Sequence, residues 1–392
     1  MAGTDKGYLL IADITGYTQY LSESELEHAN GVLKALLELL ITHTRPPLVI
    51  SRLAGDAVIS YGLEDHFLSG QAFVEMIEET YVAFRRAIDR MVLNNTCRCN
   101  ACANVGTLDL KFFVHHGEFL RQRLDKHDEL LGAEVIVIHR MLKNTVAEKA
   151  GTRAYALYSD AAIRRLGIDP VEAGLRAHEE VYEHLGTVQL WVADMRPVWE
   201  ERGATVRIEV APENVMIAVS AEVALAPEVT WSYLVEPEHR KLIMGVDRYE
   251  VVGRKGGRLA VGTEYQCFHG KGHTPQVVVE WIPFERIVTE DRLPLPGESF
   301  LIGDYRIERT ERGSRLYQVL AWSRGPWWAR LMARAIMATM RGRAQRDLDR
   351  FARHVEEDAA RCGLEAQAPG LPPSVEELRA LPAAVGGVPS PG

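Results

Sequence analysis

The sequence predicts an α+β chain in two parts: a ferredoxin-like βαββαβ unit, then an antiparallel sheet closed by a long helix. Three observations lead there. Over residues 8–91, apolar runs of strand length alternate with stretches whose apolar residues recur at helical spacing. Between 206 and 322 the pattern turns to short alternating strands cut by glycine turns. From Pro326 to about Arg361 a long helical run opens on a proline, a residue suited to the first turn of a helix.

The first unit reads as a strand over 8–14, a helix over 24–43, two strands within 46–63 and a helix over 67–91. Leu26, Leu33, Leu36, Leu37 and Leu40 form the apolar stripe of the first helix, with Ser22 or Ser24 as its expected cap. Phe73, Met76, Ile77, Tyr81, Phe84 and Ile88 do the same for the second. A cysteine-bearing loop, a strand over 108–115 and a helix over 135–146 carry the unit to about Pro197. This predicts a first domain over 5–197, a second over 205–361, and a disordered Pro-, Gly- and Ala-rich tail over 363–392. In the final helix Trp327, Trp328, Leu331, Met332, Ile336 and Met340 make one apolar face and a row of arginines the other. A membrane-surface helix has this pattern; so does a helix that closes a sheet with its polar side in water, which its position at the domain's end favours.

A length of 392 residues suits two cores better than one, and a content of 47% hydrophobic and 25% charged residues is that of a globular chain. There is no apolar run of membrane-spanning length, and the first residues lack a signal-peptide pattern, so a cytoplasmic protein is expected. A net charge of -9 argues against nucleic acid as the main partner.

Two look-alike strand ends carry the chemistry. Asp13 stands in Ile11-Ala-Asp-Ile-Thr-Gly-Tyr-Thr18 and Asp56 in Arg52-Leu-Ala-Gly-Asp56. Each is a carboxylate beside an apolar run, a costly place for a charge unless a cation or a donor meets it. Either alone is also an ordinary turn residue. A second cluster, Cys97-Arg-Cys-Asn-Ala-Cys102, sets three thiols within six residues, a density that suits zinc or an iron–sulfur centre. Cys97, Cys99 and Cys102 leave one ligand to find, and His115 or His116 is the candidate; a loop of reduced thiols is the alternative.

These residues resemble the class III adenylate/guanylate cyclase homology domain over roughly 5–195. The two Asp segments look like that family's metal strands, Leu110-Lys-Phe-Phe-Val-His-His-Gly-Glu118 like a later strand, and Gly132 to Met141 like the helix of its transition-state residues. The resemblance implies that Asp13 and Asp56 hold Mg²⁺ or Mn²⁺, and that the backbone of Ile14, Thr15, Gly16 and Tyr17 touches a nucleoside triphosphate. It further implies that Arg52 and Glu129 contact the base, that Arg140 neutralises charge in the reaction, and that the chain is a homodimer. Glu129 lies in a charged stretch where solvent exposure is the ordinary reading. The second part resembles the START-like, helix-grip superfamily that includes polyketide cyclase-like proteins, which implies a cavity for a small hydrophobic ligand. Trp231, Tyr233, Tyr265, Phe268, Trp281, Tyr305 and Trp322 are its candidate lining, though each is equally an ordinary core residue.

Two departures bear on activity. Ile136 stands where the family carries an Asn that orients the ribose, and Arg52 where it carries a Lys. Losing one such donor costs about two to three orders of magnitude in rate. A catalytically degenerate scaffold is therefore the rival to a nucleotidyl cyclase.

Overall fold

The structure is a computed structural model. It describes residues 4–45, 47–64, 70–93, 99–124, 127–203, 207–253, 258–269, 272–295 and 298–363; Cys97 and the tail beyond 363 lie outside them. The first part runs β1 (Thr4–Thr15), α1 (Tyr17–Ser22), α2 (Leu26–Thr44), β2 (Val49–Ala54), β3 (Ala57–Leu63), α3 (Gly70–Leu93), α4 (Asn100–Asn104), β4 (Asp109–Leu124), β5 (His127–Leu131), α5 (Ala133–Met141), α6 (Val146–Ala150), β6 (Tyr155–Ser159), α7 (Asp160–Leu166), β7 (Arg176–Tyr182), β8 (Gly186–Asp194) and α8 (Arg196–Gly203). Its sheet has the order β2-β3-β1-β4-β6-β8-β7, with β5 paired to β4. The β4-β1-β3-β2 portion is antiparallel throughout, as a ferredoxin-like βαββαβ unit requires. Leu9, Leu10, Ile11 and Ala12 of the central β1 are almost wholly buried, because helices cover one face and a second apolar cluster covers the other.

Local differences from the expected elements have local causes. The chain turns first into the short α1, which buries Tyr20, so α2 starts at Leu26 and neither Ser22 nor Ser24 caps it. Glu25 occupies that cap position and turns its carboxylate to the Ala101 N–H of α4 instead (3.1 Å). The helix expected over 135–146 breaks at Asn144, whose amide donates to the Met141 carbonyl and whose Oδ1 accepts from the Val146 N–H and the Tyr155 hydroxyl. The strand expected to stop at 115 continues to Leu124, paired along the whole of β1 and then with β5.

The second part runs β9 (Val215–Val223), α9 (Pro227–Val235), α10 (Pro237–Met244), β10 (Arg248–Val252), β11 (Glu264–His269), β12 (Gly272–Ile282), β13 (Arg286–Arg292), β14 (Phe300–Thr310), β15 (Gly313–Arg324) and α11 (Trp327–Arg361). Seven antiparallel strands in the order β10-β11-β12-β13-β14-β15-β9 wrap α11, the helix-grip arrangement. The region read as mostly strand also holds α9 and α10. Pro227 and Pro237 start them, and Gly245 ends the second in a left-handed conformation (φ 61°). Trp231 and Tyr233 thus lie on a buried helix, not on a strand lining a cavity. The apolar face assigned to α11 is also corrected. Its first half packs through Ala329, Ala333 and Met337, while Trp327 is 75% and Leu331 58% exposed. Small alanines let the helix lie close to the sheet, and the large side chains then point away.

Candidate functional site

β1 carries Asp13 at the point where the buried strand emerges, opposite Ala57 of β3 on one side and Lys111 of β4 on the other. β2 and β3 form a tight hairpin whose loop is Gly55-Asp56, with Gly55 in the left-handed region (φ 66°). The Ile14 N–H donates to the Asp56 carbonyl (3.4 Å), tying the hairpin tip to the end of β1. Both aspartates are half-buried. Burial, then the negative charge of Asp13, pushes the Asp56 carboxyl up to about 6. Burial also raises Asp13, opposed by the Lys111 ammonium. Among the described residues neither carboxylate forms an ion pair, and the Lys111 charge offsets burial only in part.

The turn after Asp13 is built for close approach. Ile14 is buried, the Thr15 hydroxyl donates to the Arg153 carbonyl (3.3 Å), and Gly16 (φ 88°) leads into Tyr17 and α1. The Arg153 guanidinium lies 3.4 Å from where a Cβ on Gly16 would stand. Lys111 and Arg153 are the two cations of this end that sequence reasoning missed. Lys111 lies in the 110–118 segment but carried no role there, and Arg153 belongs to no motif; β4 and the α6–β6 connection bring them in.

Arg52 and Glu129 meet at 3.4 Å, so Glu129 is half-buried on β5 and not simply exposed. Burial and then the Arg52 charge lower the pKa of His139, which shares a small cleft with them, lined also by Leu9, Ile59 and Val135. On α5, Ile136 is 56% exposed and Arg140 sits in the last turn, in ion-pair contact with neither aspartate. One chain thus presents two separate groups, Asp13–Asp56–Lys111 and Arg52–Glu129–His139, with α5 at the surface.

At the cysteine loop, His28 Nδ1 lies 3.1 Å from Cys99 Sγ and 3.9 Å from Cys102 Sγ. The expected histidines are engaged elsewhere. His115 is held between the Ser159 hydroxyl (2.7 Å) and Glu134 (2.6 Å), and His116 lies against Glu64 (3.4 Å) and the Tyr8 ring. No sequence spacing pointed to His28, which comes from α2.

The two parts meet along α3. Glu75, wholly buried there, accepts hydrogen bonds from the Gln71 amide (2.9 Å) and from the indoles of Trp231 (2.8 Å) and Trp281 (2.7 Å) in the second part. Glu78 takes both prongs of Arg258 (2.7 and 2.8 Å). Gln71 exchanges two hydrogen bonds with the Leu259 backbone. Trp231 and Trp281, expected as cavity lining, are therefore domain-joining residues. Inside the helix grip, Arg240 is fully buried between the rings of Tyr305 (4.4 Å) and Tyr265 (5.0 Å). None of its three guanidinium nitrogens has a hydrogen-bond partner among the described residues. A cleft of about 470 Å³ lies elsewhere, where residues 207–210 cross Arg286 and Arg306.

Two family models match parts of the chain. Residues 214–356 match the family "Polyketide cyclase / dehydrase and lipid transport". Residues 33–150 match a family described as "Protein of unknown function" (DUF2652). An uncharacterized protein of Mycobacterium tuberculosis is 31% identical over 117 residues, 29% of this chain; the chain spans about half (54%) of that relative. Among solved structures, the guanylyl cyclase Cya2 is similar over 49% of this chain and 94% of its own, at 14% identity and a TM-score of 0.37. The adenylyl cyclase CyaB from P. aeruginosa is similar over 50% and 96%, at 13% identity and 0.35. A protein from Mesorhizobium loti is similar over 34% and 96%, at 16% identity and 0.27.

Proposed function

We propose that the first domain binds a divalent cation and a nucleoside triphosphate at the Asp13–Asp56 end, and that the second domain binds a small ligand that modulates it. The observation that carries this is a pair of half-buried carboxylates close enough for the charge of Asp13 to raise the pKa of Asp56, with no ion-pair partner among the described residues, beside a glycine turn flanked by Lys111 and Arg153. Asp13 and Asp56 would hold Mg²⁺ or Mn²⁺, which supplies charge neutralisation for the triphosphate and acidifies the attacking hydroxyl. Gly16 leaves room for phosphate oxygens, and Lys111 and Arg153 balance their charge. Arg52 and Glu129 offer a donor and an acceptor to a base. Ile136, exposed, and Arg140, half-buried one turn later on α5, suit the family's two-fold arrangement, in which this helix faces the metal residues of a second copy in a homodimer. We assign the activity to the cytoplasm, where nucleoside triphosphates are abundant.

Ile136 favours a second reading, in which nucleotide binds without turnover, because an aliphatic side chain donates nothing to the ribose. Incubation with ATP or GTP and Mn²⁺, with cyclic nucleotide measured chromatographically, separates the two. Product lost on Asp56→Ala supports the cyclase. No product but Mn²⁺-dependent nucleotide binding supports the degenerate form, and neither product nor binding overturns the proposal.

For the second domain, a guanidinium buried without a hydrogen-bond acceptor is costly, and the nearby buried Asp291 offsets that cost by charge alone. A largely apolar ligand with an acidic or carbonyl oxygen would relieve that cost at Arg240. A fluorescent fatty acid should therefore bind better than its methyl ester, and Arg240→Met should erase the preference; equal binding of acid and ester by the wild type contradicts it.

A further inference from the structure

We propose that His28, Cys99 and Cys102 form a zinc site that fastens α4 to the start of α2. The His28 Nδ1 and the two sulfurs all lie within 4.8 Å of one another, with separations from the imidazole of 3.1 and 3.9 Å. Zinc bound tetrahedrally at about 2.3 Å from sulfur and about 2.0 Å from nitrogen sets its ligands roughly 3.5–3.8 Å apart. The three atoms need only small adjustments to share one ion.

The surroundings hold these ligands in place. The Cys102 N–H donates to Cys99 Sγ (3.4 Å), a contact that orients that sulfur. The intervening Ala101 is gripped from both sides: its N–H donates to the Glu25 carboxylate (3.1 Å) and its carbonyl accepts from the Tyr20 hydroxyl (3.0 Å). The loop is thus fixed to α1 and α2 whether or not metal is bound, and His28 stands one turn into α2 from Glu25. Two thiolates and an imidazole select zinc over the hard cations suited to Asp13 and Asp56, so this site is independent of the proposed nucleotide site. Each thiol gives up its proton on binding, and uptake should weaken as pH falls. The fourth position is left to solvent or another side chain; Cys97 lies outside the described residues and is not counted.

The test uses the full chain, reduced and with any affinity tag removed. Metal analysis after dialysis should find about one zinc per chain. Chelator-stripped protein given Co²⁺ should show tetrahedral d–d bands and a sulfur-to-cobalt charge-transfer band, which reports thiolate ligation without any variant. Cys99→Ser and Cys102→Ser should lose the zinc, and His28→Ala should weaken zinc binding by about tenfold or more. Asp56→Asn should leave it unchanged. A wild type that takes up no zinc and shows no charge-transfer band overturns the site, as does full zinc retention in the double Cys99→Ser/Cys102→Ser variant.

Discussion

Carboxylates are withdrawn from water both on α3, where the two parts meet, and at the end of the first sheet, but with different partners. On α3, Glu75 receives three hydrogen bonds, and Glu78 receives a two-pronged guanidinium. Burial raises Glu75 despite its hydrogen bonds, whereas the Arg258 guanidinium outweighs burial at Glu78 and holds it below the usual range. At the end of the first sheet, Asp13 and Asp56 have no such partners among the described residues, and Asp56 is raised to about 6. A satisfied buried acid is part of the framework, here the joint between two domains. An unsatisfied one stores a preference for a cation that only a ligand can meet.

Substitutions in the two regions should therefore separate binding from stability. The largest effect is expected at the aspartates: Asp13→Asn or Asp56→Asn should weaken Mn²⁺-dependent nucleotide binding, measured calorimetrically, by about 100-fold or more, since lost outer-sphere contacts alone cost about 10–100-fold. Glu75→Ala should act the other way round. It leaves two buried indole N–H groups without acceptors and should lower stability in urea by about 2–4 kcal/mol with nucleotide affinity retained. Loss of nucleotide binding in a folded Glu75→Ala protein would show instead that the joint transmits to the site.

Acidity gives an intermediate effect. Mn²⁺ binds ionised carboxylates, so its affinity should fall as pH drops through about 6, where Asp56 takes up its proton. At pH 5 the loss relative to neutral pH should reach about tenfold, a factor of ten per unit below the pKa. The smallest effect belongs to Arg52 and Glu129. Their pair is partly exposed, and Glu129→Gln should cost less than about 1 kcal/mol in thermal unfolding.

Much of the fold was legible because periodicity reports burial. The stripes of α2 and α3 and the apolar run of β1 follow from one face or both being covered, except that Leu26, in the first turn of α2, is exposed. α9 was not legible: Val229 to Val235 are buried on every side, so the helical period vanishes and a buried strand reads the same way. The large residues at the start of α11 misled in the opposite sense, because there the alanines make the contact. At the sites, the residues of local motifs were legible: Asp13, Gly16, Asp56, Cys99 and Cys102. Their partners Lys111, Arg153 and His28 were not, because separate elements bring them in and no spacing in the chain encodes the meeting. Glu75 was hidden by its own pattern, a charged residue in a helical stripe whose apolar neighbours draw the eye.

On the proposed reading, Asp13 and Asp56 are uncompensated until a cation binds. The folded-state pKa of Asp56 lies above its usual 3.8, so the stability this group contributes falls as pH rises from about 4 to about 6 and stays low above that. Thermal unfolding of Asp56→Asn against wild type at neutral pH tests this directly. In chelator the variant should melt higher than wild type, and in excess Mn²⁺ with nucleotide the order should reverse. A variant less stable than wild type in chelator, and equally shifted by Mn²⁺ and nucleotide, would mean that Asp56 is a structural turn residue and not half of a cation site.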